Sequence, residues 1–440
     1  MSDNIPSNVN IYIPSLKEKK SPLDWYQLDN AATIFSLINS KRSTNVFRVS
    51  CTLKNPINHD EMQFSLTRVI ERFPYFDVSL RDGFFWSYWI RNNDWPKIEP
   101  ETQFPCQQIN IWSKGTFPFR VKIYENRVAI EFHHSITDGY GGITFLKALI
   151  ADYLSIKGIK PSNWGDVFHY EQTPNPREYE YSYRSNYLKG LPMPRINKRG
   201  FKPPLTKVKK GEFHLISSTI SVKEILEVAR DKKVSITELL TAVYLEALQE
   251  VAFTIPEHKR KRYFKEIRIA VPVDLRNLYQ SKTMRNFAFM LNPEIDPRLG
   301  KYSFDEILSS VHHSLRHDNS KRYLNQYISR NVSGELYPIV RFIPLFLKRI
   351  FGQFIYKRMG EAQNSGKLSN LGKITMPNEF ANEIENFEFI LAPSDTITTG
   401  CAVISFQDKF TINFSRTVEE PLVEKYFFER LLKLGIQVKN

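Results

Sequence analysis

The segment His133-His134-Ser135-Ile136-Thr137-Asp138-Gly139 brings together residue types that can carry out a proton transfer. An imidazole can be neutral near pH 7 and can then act as a general base. Asp138 can fix the loop by pairing with a cation, and Gly139 permits a turn that a side chain would obstruct. The spacing H-H-x-x-x-D-G arises by chance on the order of once in a few thousand chains of this composition, so it favours a reactive site over a packed turn with two satisfied histidines.

The elements around this segment place it in a loop between a strand and a helix. Apolar and polar residues alternate over 119–123 and again over 128–132, with a turn at 125–127, which predicts a hairpin. Beyond the glycines, apolar residues at 146, 149, 150, 153 and 154 follow the spacing of one helix face. The second strand of the hairpin therefore ends at the histidines.

The rest of the chain predicts an α/β fold of the mixed α+β kind, because both halves combine helices with strands. Capping boxes at Ser221 with Glu224 and at Ser235 with Glu238 predict two helix starts. Further strands are predicted at 267–273, 387–391, 401–406 and 410–414, and a last helix at 422–434. The predicted units are an N-terminal lobe at 1–175, a crossover linker at 176–212 and a C-terminal lobe at 213–440.

Composition excludes several classes of protein. The 440 residues carry a net charge of +14 and are 42% hydrophobic, which excludes a disordered or fibrous chain. Three cysteines without C-x-x-C spacing predict neither a disulfide framework nor a metal site. No stretch approaches the roughly 20 apolar residues of a spanning helix, and the polar N-terminus does not look like a secretory signal. We therefore expect a soluble cytoplasmic protein.

Two regions of the sequence are strongly basic. Residues 195–210 contain seven basic residues and no acidic one, for which a solvated linker is a better explanation than a dedicated anion site. An apolar stripe over 342–355 lies opposite basic residues on the same predicted helix, which suits a core helix, a lid over an apolar acceptor or a membrane-surface helix. We expect core or lid. The stripe comprises Phe342, Ile343, Phe346, Leu347, Ile350, Phe351, Phe354 and Ile355, and the basic side comprises Arg341, Lys348, Arg349, Lys357 and Arg358.

The histidine segment resembles the HHxxxDG signature of a large acyltransferase superfamily. That superfamily includes chloramphenicol acetyltransferase, peptide-synthetase condensation domains, plant BAHD acyltransferases and alcohol O-acetyltransferases. Supporting matches are LDNAA at 28–32, GFFWSYW at 83–89, EFHHSITDGYGG at 131–142, VPVDLRNL at 271–278, RNF at 285–287 and SNLG at 369–372. The chain looks most like the bacterial alcohol O-acetyltransferase-like branch, and it lacks the D-F-G-W-G segment of the plant branch.

The resemblance implies two chloramphenicol-acetyltransferase-like lobes with a tunnel between them. His134 is then the general base, while His133 and Gly139 are structural. Asp138 is expected to form an ion pair with Arg276 of the other lobe. Ser369 or Asn370 could donate a hydrogen bond to the oxyanion, although a plain turn is at least as good an explanation of these two residues.

The motif and the resemblance are compatible with three functions. The leading one is transfer of an acyl group, acetyl in the first place, from coenzyme A to a small alcohol or amine by a monomer without a tightly bound cofactor. Lys207, Lys209 and Lys210 would attract the donor's phosphates. A second function takes the acyl group from an acyl-carrier protein. A third is a non-catalytic binding protein on the same fold, against which the intact His134, Asp138 and Gly139 argue. No nucleic-acid module pattern is present, and peripheral membrane contact stays open.

Overall fold

The computed structural model describes residues 25–40, 43–194, 197–209, 211–391, 394 and 396–439, and residues 353–359 without their side chains. The strands of this part of the chain are β1 Trp25–Gln27, β2 Val46–Leu53, β3 Val78–Asp82, β4 Ser87–Arg91, β5 Ile98–Pro100, β6 Phe119–Tyr124, β7 Arg127–His133, β8 His214–Ser221, β9 Ile267–Asp274, β10 Ala288–Leu291, β11 Glu294–Ile295, β12 Gly366–Ile374, β13 Ile384–Ile390, β14 Thr399–Phe406 and β15 Lys409–Arg416.

Helices alternate with these strands in both halves. They are α1 Asn30–Ile38, α2 His59–Arg72, α3 Gly139–Ile156, α4 Ser182–Ser185, α5 Val222–Asp231, α6 Ile236–Phe253, α7 Glu257–Tyr263, α8 Arg276–Tyr279, α9 Phe304–Asp318, α10 Lys321–Leu336, α11 Pro338–Phe342, α12 Leu345–Met359, α13 Asn378–Ala381 and α14 Leu422–Lys433. Short 3-10 turns lie at Pro176–Tyr179, Pro297–Leu299 and Glu361–Gln363. Among the described residues, no helix combines the length and the apolar composition needed to cross a membrane.

The N-terminal half is built on a five-stranded sheet in the order β13-β2-β7-β6-β5. The predicted hairpin is present as β6 and β7, with Phe119 paired to Phe132. Alternate residues of β2 and β7, such as Phe47 and Phe132, enter an apolar core that also contains buried residues of α2 and α3. The opposite face of the sheet carries buried polar groups, among them Arg48 and Glu131. A separate small sheet joins β1, β4 and β3.

The C-terminal half is built on a seven-stranded sheet with the path β10-β9-β12-β14-β15-β8, and β11 pairs with β9. Helix α6, which begins at the predicted capping box of Ser235 and Glu238, is buried along most of its length. Its apolar residues join those of α9, α14 and the sheet in a second core. The fold is thus the predicted mixed α/β arrangement, with a sheet and covering helices in each half.

One strand crosses between the halves. Strand β13 lies in the C-terminal half of the sequence but pairs antiparallel with β2, with Phe387 opposite Cys51. The sequence after residue 213 therefore supplies strands to both sheets, because β13 belongs to the sheet of the N-terminal half. Periodicity could not show this exchange, because it identifies a strand without identifying its neighbour.

The crossover packs against both halves at certain residues, so the expectation of a solvated linker at 195–210 is wrong around Phe201, although the lysines at 198, 207 and 209 are exposed. Glu178 is buried and forms an ion pair with Arg72 at 2.8 Å. Phe201 is fully buried, and its N–H donates to the carbonyl of Glu266 at 2.8 Å. The Lys202 ammonium donates to the carbonyl oxygens of Glu361 and Asn364, and burial lowers its pKa to about 7.

Helices α11 and α12 lie at the surface. Phe342, Phe346, Ile350 and Phe351 are exposed, so of the two expected roles, core or lid, the core is wrong for them. The side chains of Phe354, Ile355, Lys357 and Arg358, which the prediction included, lie outside the described residues.

Candidate active site

Strand β7 ends at the two histidines, which lie where the N-terminal and C-terminal halves meet. We call this boundary the seam. Val128, Ile130 and Phe132 are buried in the first core, so residue 133 at the end of the strand faces away from that core. The N–H of His133 donates to the carbonyl of Pro118 at 2.8 Å, which anchors the strand end. The N–H of His134 donates to the carbonyl of Asn45 at 2.7 Å. The backbone of both residues is therefore held by neighbouring segments.

His133 serves the turn. Its ring is fully buried, and Nδ1 lies 2.7 Å from the Ser135 hydroxyl and accepts the Ser135 N–H at 3.2 Å. Because Nδ1 accepts, the neutral ring carries its proton on Nε2. Burial lowers the pKa of His133 to about 3, and the neighbouring His134 adds to this effect. These contacts fit the structural role predicted for His133.

His134 is partly exposed and is held between two aromatic rings. Phe35 of α1 stacks on the imidazole with ring centroids 4.8 Å apart, and Phe47 of β2 lies tilted at 4.7 Å. The carbonyl of His134 accepts a hydrogen bond from the Asn286 side chain at 2.9 Å. Since Nδ1 is buried, Nε2 is the ring nitrogen that is left to face a substrate. Neither phenylalanine could be identified from sequence, because both lie far from the motif along the chain.

The imidazole of His134 is neutral at physiological pH. Burial lowers its pKa to about 4, and the positive charge of Lys367 lowers it further. Asn286 and Thr137 oppose this lowering in part, although Nδ1 has no partner within normal hydrogen-bond geometry among the described residues. Sequence analysis missed Lys367 because it lies more than two hundred residues beyond the motif, in β12.

The ion pair implied between Asp138 and Arg276 is present. Arg276 Nη2 lies 3.0 Å from both Asp138 Oδ1 and Oδ2, and the two residues are 4% and 6% exposed. Asp138 also accepts the N–H of Phe287 at 2.8 Å and caps α3 through the N–H of Gly141. The carboxylate therefore ties the histidine loop to two points of the C-terminal half.

Arg276 is satisfied on all three guanidinium nitrogens. Nε donates to the carbonyl of Thr283 at 2.8 Å, Nη1 donates to Asp274 at 2.8 Å, and Nη2 also donates to the carbonyl of Arg285 at 2.6 Å. Its guanidinium lies over the Tyr140 ring at 4.4 Å. Such a set of contacts fixes the position of the charge and engages every guanidinium nitrogen within the protein.

A second buried pair links the halves beside the first. Asp29 begins α1 by accepting the N–H of Ala32 at 2.7 Å, and its other oxygen lies 3.4 Å from Arg285 Nε. Burial raises the pKa of Asp29 to about 6 against the opposing effect of Arg285. Helix α1, which carries Phe35, is thus positioned by the residues next to Asn286. Two sequence matches that are remote in the chain, at 28–32 and 285–287, meet here.

The glycines of the motif are required for space. A Cβ on Gly139 would lie 2.4 Å from Leu371 Cδ2, and one on Gly141 would lie 2.0 Å from Thr137 Oγ1 and 2.7 Å from the Met284 carbonyl oxygen. Neither glycine has a positive φ. The two glycines therefore allow the two halves to approach closely. A side chain at Gly141 would be harder to accommodate than one at Gly139, because a backbone atom of Met284 cannot move aside as the Leu371 side chain can.

The two oxyanion candidates face opposite ways on β12. Asn370 donates to Thr237 of α6 at 3.1 Å and accepts the N–H of Gly372 at 2.8 Å. Its amide therefore faces α6 in the C-terminal half and stabilises a local turn. Ser369 alternates with Asn370 and shares its face of β12 with Lys367, whose charge acts on His134. Of the two candidates, Ser369 is therefore the one on the side of His134.

One of the lysines proposed for the donor lies beside an open cavity, because the carbonyl of Lys209 accepts the N–H of Glu212, which lines the cavity, at 3.1 Å. Lys207 and Lys209 are exposed, and Lys210 lies outside the described residues. The N–H of Val208 donates to the carbonyl of Thr417 at 3.1 Å, which holds this segment against the C-terminal sheet. The adjacent cavity of about 840 Å³ is lined by Glu101, Thr102, Gln103, Phe104, Pro105, Gln107, Tyr124, Arg127, Gly211 and Glu212.

Titratable residues elsewhere form no further centre of this kind. In the described ranges, no group of three His, Cys, Asp or Glu residues could hold a metal ion. Cys51, Cys106 and Cys401 are buried and free, and burial raises the pKa of each thiol. The thiols are therefore protonated and shielded.

The fold is similar to that of solved acyltransferases and condensation domains. No protein-family profile matches the sequence, and no curated protein matches it. Among solved structures, Fusarium sporotrichioides TRI101 complexed with coenzyme A and T-2 is similar, with a TM-score of 0.62 at 10% identity over 94% of this chain and 99% of that one.

Two further structures are similar over nearly the whole chain. Trichothecene 15-O-acetyltransferase from Fusarium sporotrichioides gives a TM-score of 0.58 at 13% identity, over 93% of this chain and 95% of that one. A variant of the starter condensation domain of rhizomide synthetase, in complex with C8-CoA and Leu-SNAC, gives 0.60 at 12% identity over 94% of both chains. At these identities the likeness establishes the fold.

Proposed function

We propose that this protein is an acyltransferase that moves an acyl group, in the simplest case acetyl, from coenzyme A to the hydroxyl of an alcohol or to an amine. The observation that carries the proposal is His134, a partly exposed imidazole that stays neutral and is fixed in a seam between two lobes. A neutral imidazole whose Nε2 is left to face a substrate can accept a proton from an attacking hydroxyl. The whole-chain likeness to a coenzyme A complex supports the donor.

In the proposed reaction the acceptor oxygen or nitrogen attacks the thioester carbonyl beside His134. The acceptor's proton passes to Nε2 as the new bond to carbon forms, and the carbonyl becomes an oxyanion. When the carbon–sulfur bond breaks, the thiolate takes the proton from the imidazolium, and His134 is neutral again. Burial that lowers the pKa of His134 favours this return of the proton, because a thiol has a pKa near 8.5. No covalent enzyme intermediate is needed.

The surrounding residues are proposed to position the base and the oxyanion. Asp138 and Arg276 hold the loop and do not touch substrate, since their polar atoms bond to each other and to the backbone. Ser369 is the better oxyanion donor of the two candidates, because its face of β12 is the one on the side of His134. A hydroxyl aimed at an oxyanion typically contributes about 3 kcal/mol to transition-state stabilisation.

The donor's phosphates are proposed to meet Lys207, Lys209 and Lys210, of which Lys209 lies next to the cavity at 101–107. Lys367 is near both the loop at 101–107 and the base, since its positive charge acts on the pKa of Cys106 in this loop and on the pKa of His134. The loop thus leads from the basic crossover towards the base, which suits a donor that enters the proposed tunnel with its thioester foremost. A carrier-protein arm is the alternative donor, and the condensation domain solved with C8-CoA shows the same fold.

The finer assignments are also proposals. We propose an alcohol as the acceptor and action as a monomer, with no tightly bound cofactor, in the cytoplasm. Three free, buried cysteines suit that reducing compartment.

The test is thiol release from acetyl-coenzyme A with a panel of alcohols and amines. We expect His134→Ala to lower turnover by roughly 10²- to 10⁴-fold. His258→Ala, a change of an exposed histidine on α7, is the matched control and should leave turnover unchanged. His133→Ala should cost less than His134→Ala at the chemical step. The proposal fails if no acceptor supports thiol release from a folded protein, or if the His134 variant retains full turnover.

A further inference from the structure

Six large, exposed apolar side chains outside the site come from two segments that touch. Phe84 lies at the tip between β3 and β4, and the rest lie on α11 and α12. Each is between 58% and 73% exposed, and the set is Phe84, Ile339, Phe342, Phe346, Ile350 and Phe351. We call this set the aromatic surface. Soluble monomers rarely expose contiguous apolar areas of this kind, which usually mark an interaction site.

The tip and the helices are joined by specific contacts. The N–H of Leu345 donates to the carbonyl of Phe84 at 2.9 Å, and the Lys348 ammonium donates to the carbonyl of Phe85 at 2.7 Å. The rings of Phe85 and Phe342 pack edge to face with centroids 6.2 Å apart. The two segments therefore present one continuous surface.

The exposed side of α12 points away from the protein. Leu345 is buried, and Gly352, seven residues later and on the same side, approaches Leu37 of α1 so closely that an added Cβ would lie 3.0 Å from Leu37 Cδ1. Phe346 and Ile350 are one turn apart on the opposite side. An apolar face opposite the packed face is the pattern of a helix that lies in a membrane interface.

The charge around the aromatic surface is positive. Residues 337–358 contain five basic residues and no acidic one. Arg341 is exposed, and Lys348 flanks the apolar face, while Arg349 is paired with Asp82 at 2.6 Å. Basic side chains at the edge of an apolar face favour anionic headgroups. The complementary partner is therefore an anionic lipid surface.

The aromatic surface is close to the base. Helix α1 contacts α12 through Leu37 and contacts His134 through Phe35, whose ring stacks on the imidazole at 4.8 Å. One nine-residue helix thus touches both the surface helix and the catalytic ring. A molecule leaving a bilayer at α12 would be next to the helix that borders the base.

We propose that α11, α12 and the tip at 84–86 form a docking surface for anionic membranes, and that the membrane supplies an apolar acceptor. The second half of this proposal rests on the proposed function. The acceptor class is then a long-chain or otherwise lipophilic alcohol or amine that partitions into the bilayer.

Docking is tested by sedimentation of the full chain with vesicles of phosphatidylcholine, alone or mixed with an equal part of phosphatidylglycerol. We expect binding to the mixed vesicles and much weaker binding to the neutral ones. The double variant Phe342→Ser with Phe346→Ser should lower binding at least ~10-fold, since each ring loses apolar contact. Leu299→Ser, at a residue 79% exposed elsewhere, is the matched control and should bind normally.

Charge is tested separately. Arg341→Gln should lower binding to the mixed vesicles about fivefold and leave binding to neutral vesicles unchanged. Lys259→Gln, at an exposed residue of α7, should change neither. Wild-type protein that binds neither vesicle, or equal binding by the wild type and the double variant, would overturn the proposal. So would a dimer that dissociates in the double variant without lipid, because the occupant would then be a second copy.

Delivery is tested with two alcohols. In mixed vesicles, the double variant should transfer more slowly than the wild type to hexadecanol and equally fast to butanol. Equal rates with both alcohols would overturn delivery from the membrane. If the wild type transfers to neither alcohol while it still sediments with vesicles, the proposed function fails and the docking surface stands.

Discussion

Two parts of the molecule hold the positive charges that the proposed reaction uses, and they are built in opposite ways. Arg276 is buried, and each guanidinium nitrogen donates to a defined oxygen of a carboxylate or a carbonyl. Lys207 and Lys209 are exposed on a segment held by its backbone. The first charge has a fixed position, and the second pair supplies only a local field.

The difference teaches what each charge can do. Separating a buried ion pair leaves an unpaired charge in the interior, which strongly destabilises the protein. The pair therefore holds the two lobes together and fixes the loop that carries His134. An exposed lysine is screened by salt and contributes mainly to attraction over distance. Positioning and attraction are therefore divided between the two regions. Substitutions in the first should affect stability and rate, whereas substitutions in the second should affect donor binding.

The largest effect is expected when the Asp138–Arg276 pair is broken. Asp138→Asn removes the negative partner and should lower the free energy of unfolding by about 3 kcal/mol, at the lower end of the usual range because Asp274 still pairs with Arg276. Turnover should fall as well, since the loop that carries His134 loses its anchor. Urea unfolding followed by circular dichroism gives the stability.

The matched control is an exposed pair. Asp296→Asn breaks a contact with Arg298, a half-exposed residue, and should change the free energy of unfolding by less than about 1 kcal/mol. Equal losses in the two variants would show that the buried pair does not hold the lobes together.

The next effect tests the close approach at the same seam. Gly141→Ala places a methyl group against Thr137 Oγ1 and the Met284 carbonyl oxygen and should destabilise the protein by about 1–3 kcal/mol. Gly334→Ala in α10 is the control, since a Cβ there meets no atom within 4 Å. That variant should be stabilised by about 0.5–1 kcal/mol, because alanine favours the helix. A shift of the same sign in both variants would contradict the role assigned to Gly141.

Local pattern predicted much of this seam from sequence. The alternation at 119–132 gave the hairpin, and the motif with its resemblance gave His134, Asp138 and Arg276. Phe35, Phe47 and Lys367 were not predicted, because each reaches the imidazole from a separate element. Contacts between remote elements leave no periodic trace in one sequence.

Two features of the fold escaped the sequence for the same reason. Strand β13 was predicted as a strand, but its pairing with β2 of the other half was not, since that pairing depends on the tertiary fold. The stripe at 342–355 was expected to be core or lid because an apolar helix face usually packs inward, and the residues described as exposed are not core. Composition alone does not distinguish a face that meets protein from one that meets solvent or lipid.

A smaller effect concerns the pH dependence of the base. With the His134 pKa lowered to about 4, kcat/KM should be flat from pH 8 down to about 5 and should fall only at lower pH, where the imidazole is protonated. Lys367→Met removes a charge that lowers this pKa, so its acid limb should move to higher pH. Lys373→Met, an exposed change on the same strand, should leave the limb in place. A wild-type limb near pH 6.5 would show that the base is not buried as described.

The smallest effect belongs to the crossover. Replacing Lys207, Lys209 and Lys210 together by glutamine should raise the KM for acetyl-coenzyme A by ~2- to 5-fold, with turnover at saturation unchanged, because exposed charges act weakly and at a distance. Raising the ionic strength should increase the wild-type KM and reduce the difference in KM between the wild type and this triple variant. The control replaces Lys259, Lys261 and Arg262 of α7 by glutamine, which removes the same net charge elsewhere on the surface. If the crossover attracts the donor, the triple variant at 207, 209 and 210 must have a higher KM than the control variant. Equal KM values would assign donor attraction to the net charge of +14 as a whole, and the contrast with Arg276 would then be one between a defined contact and the field of the entire protein.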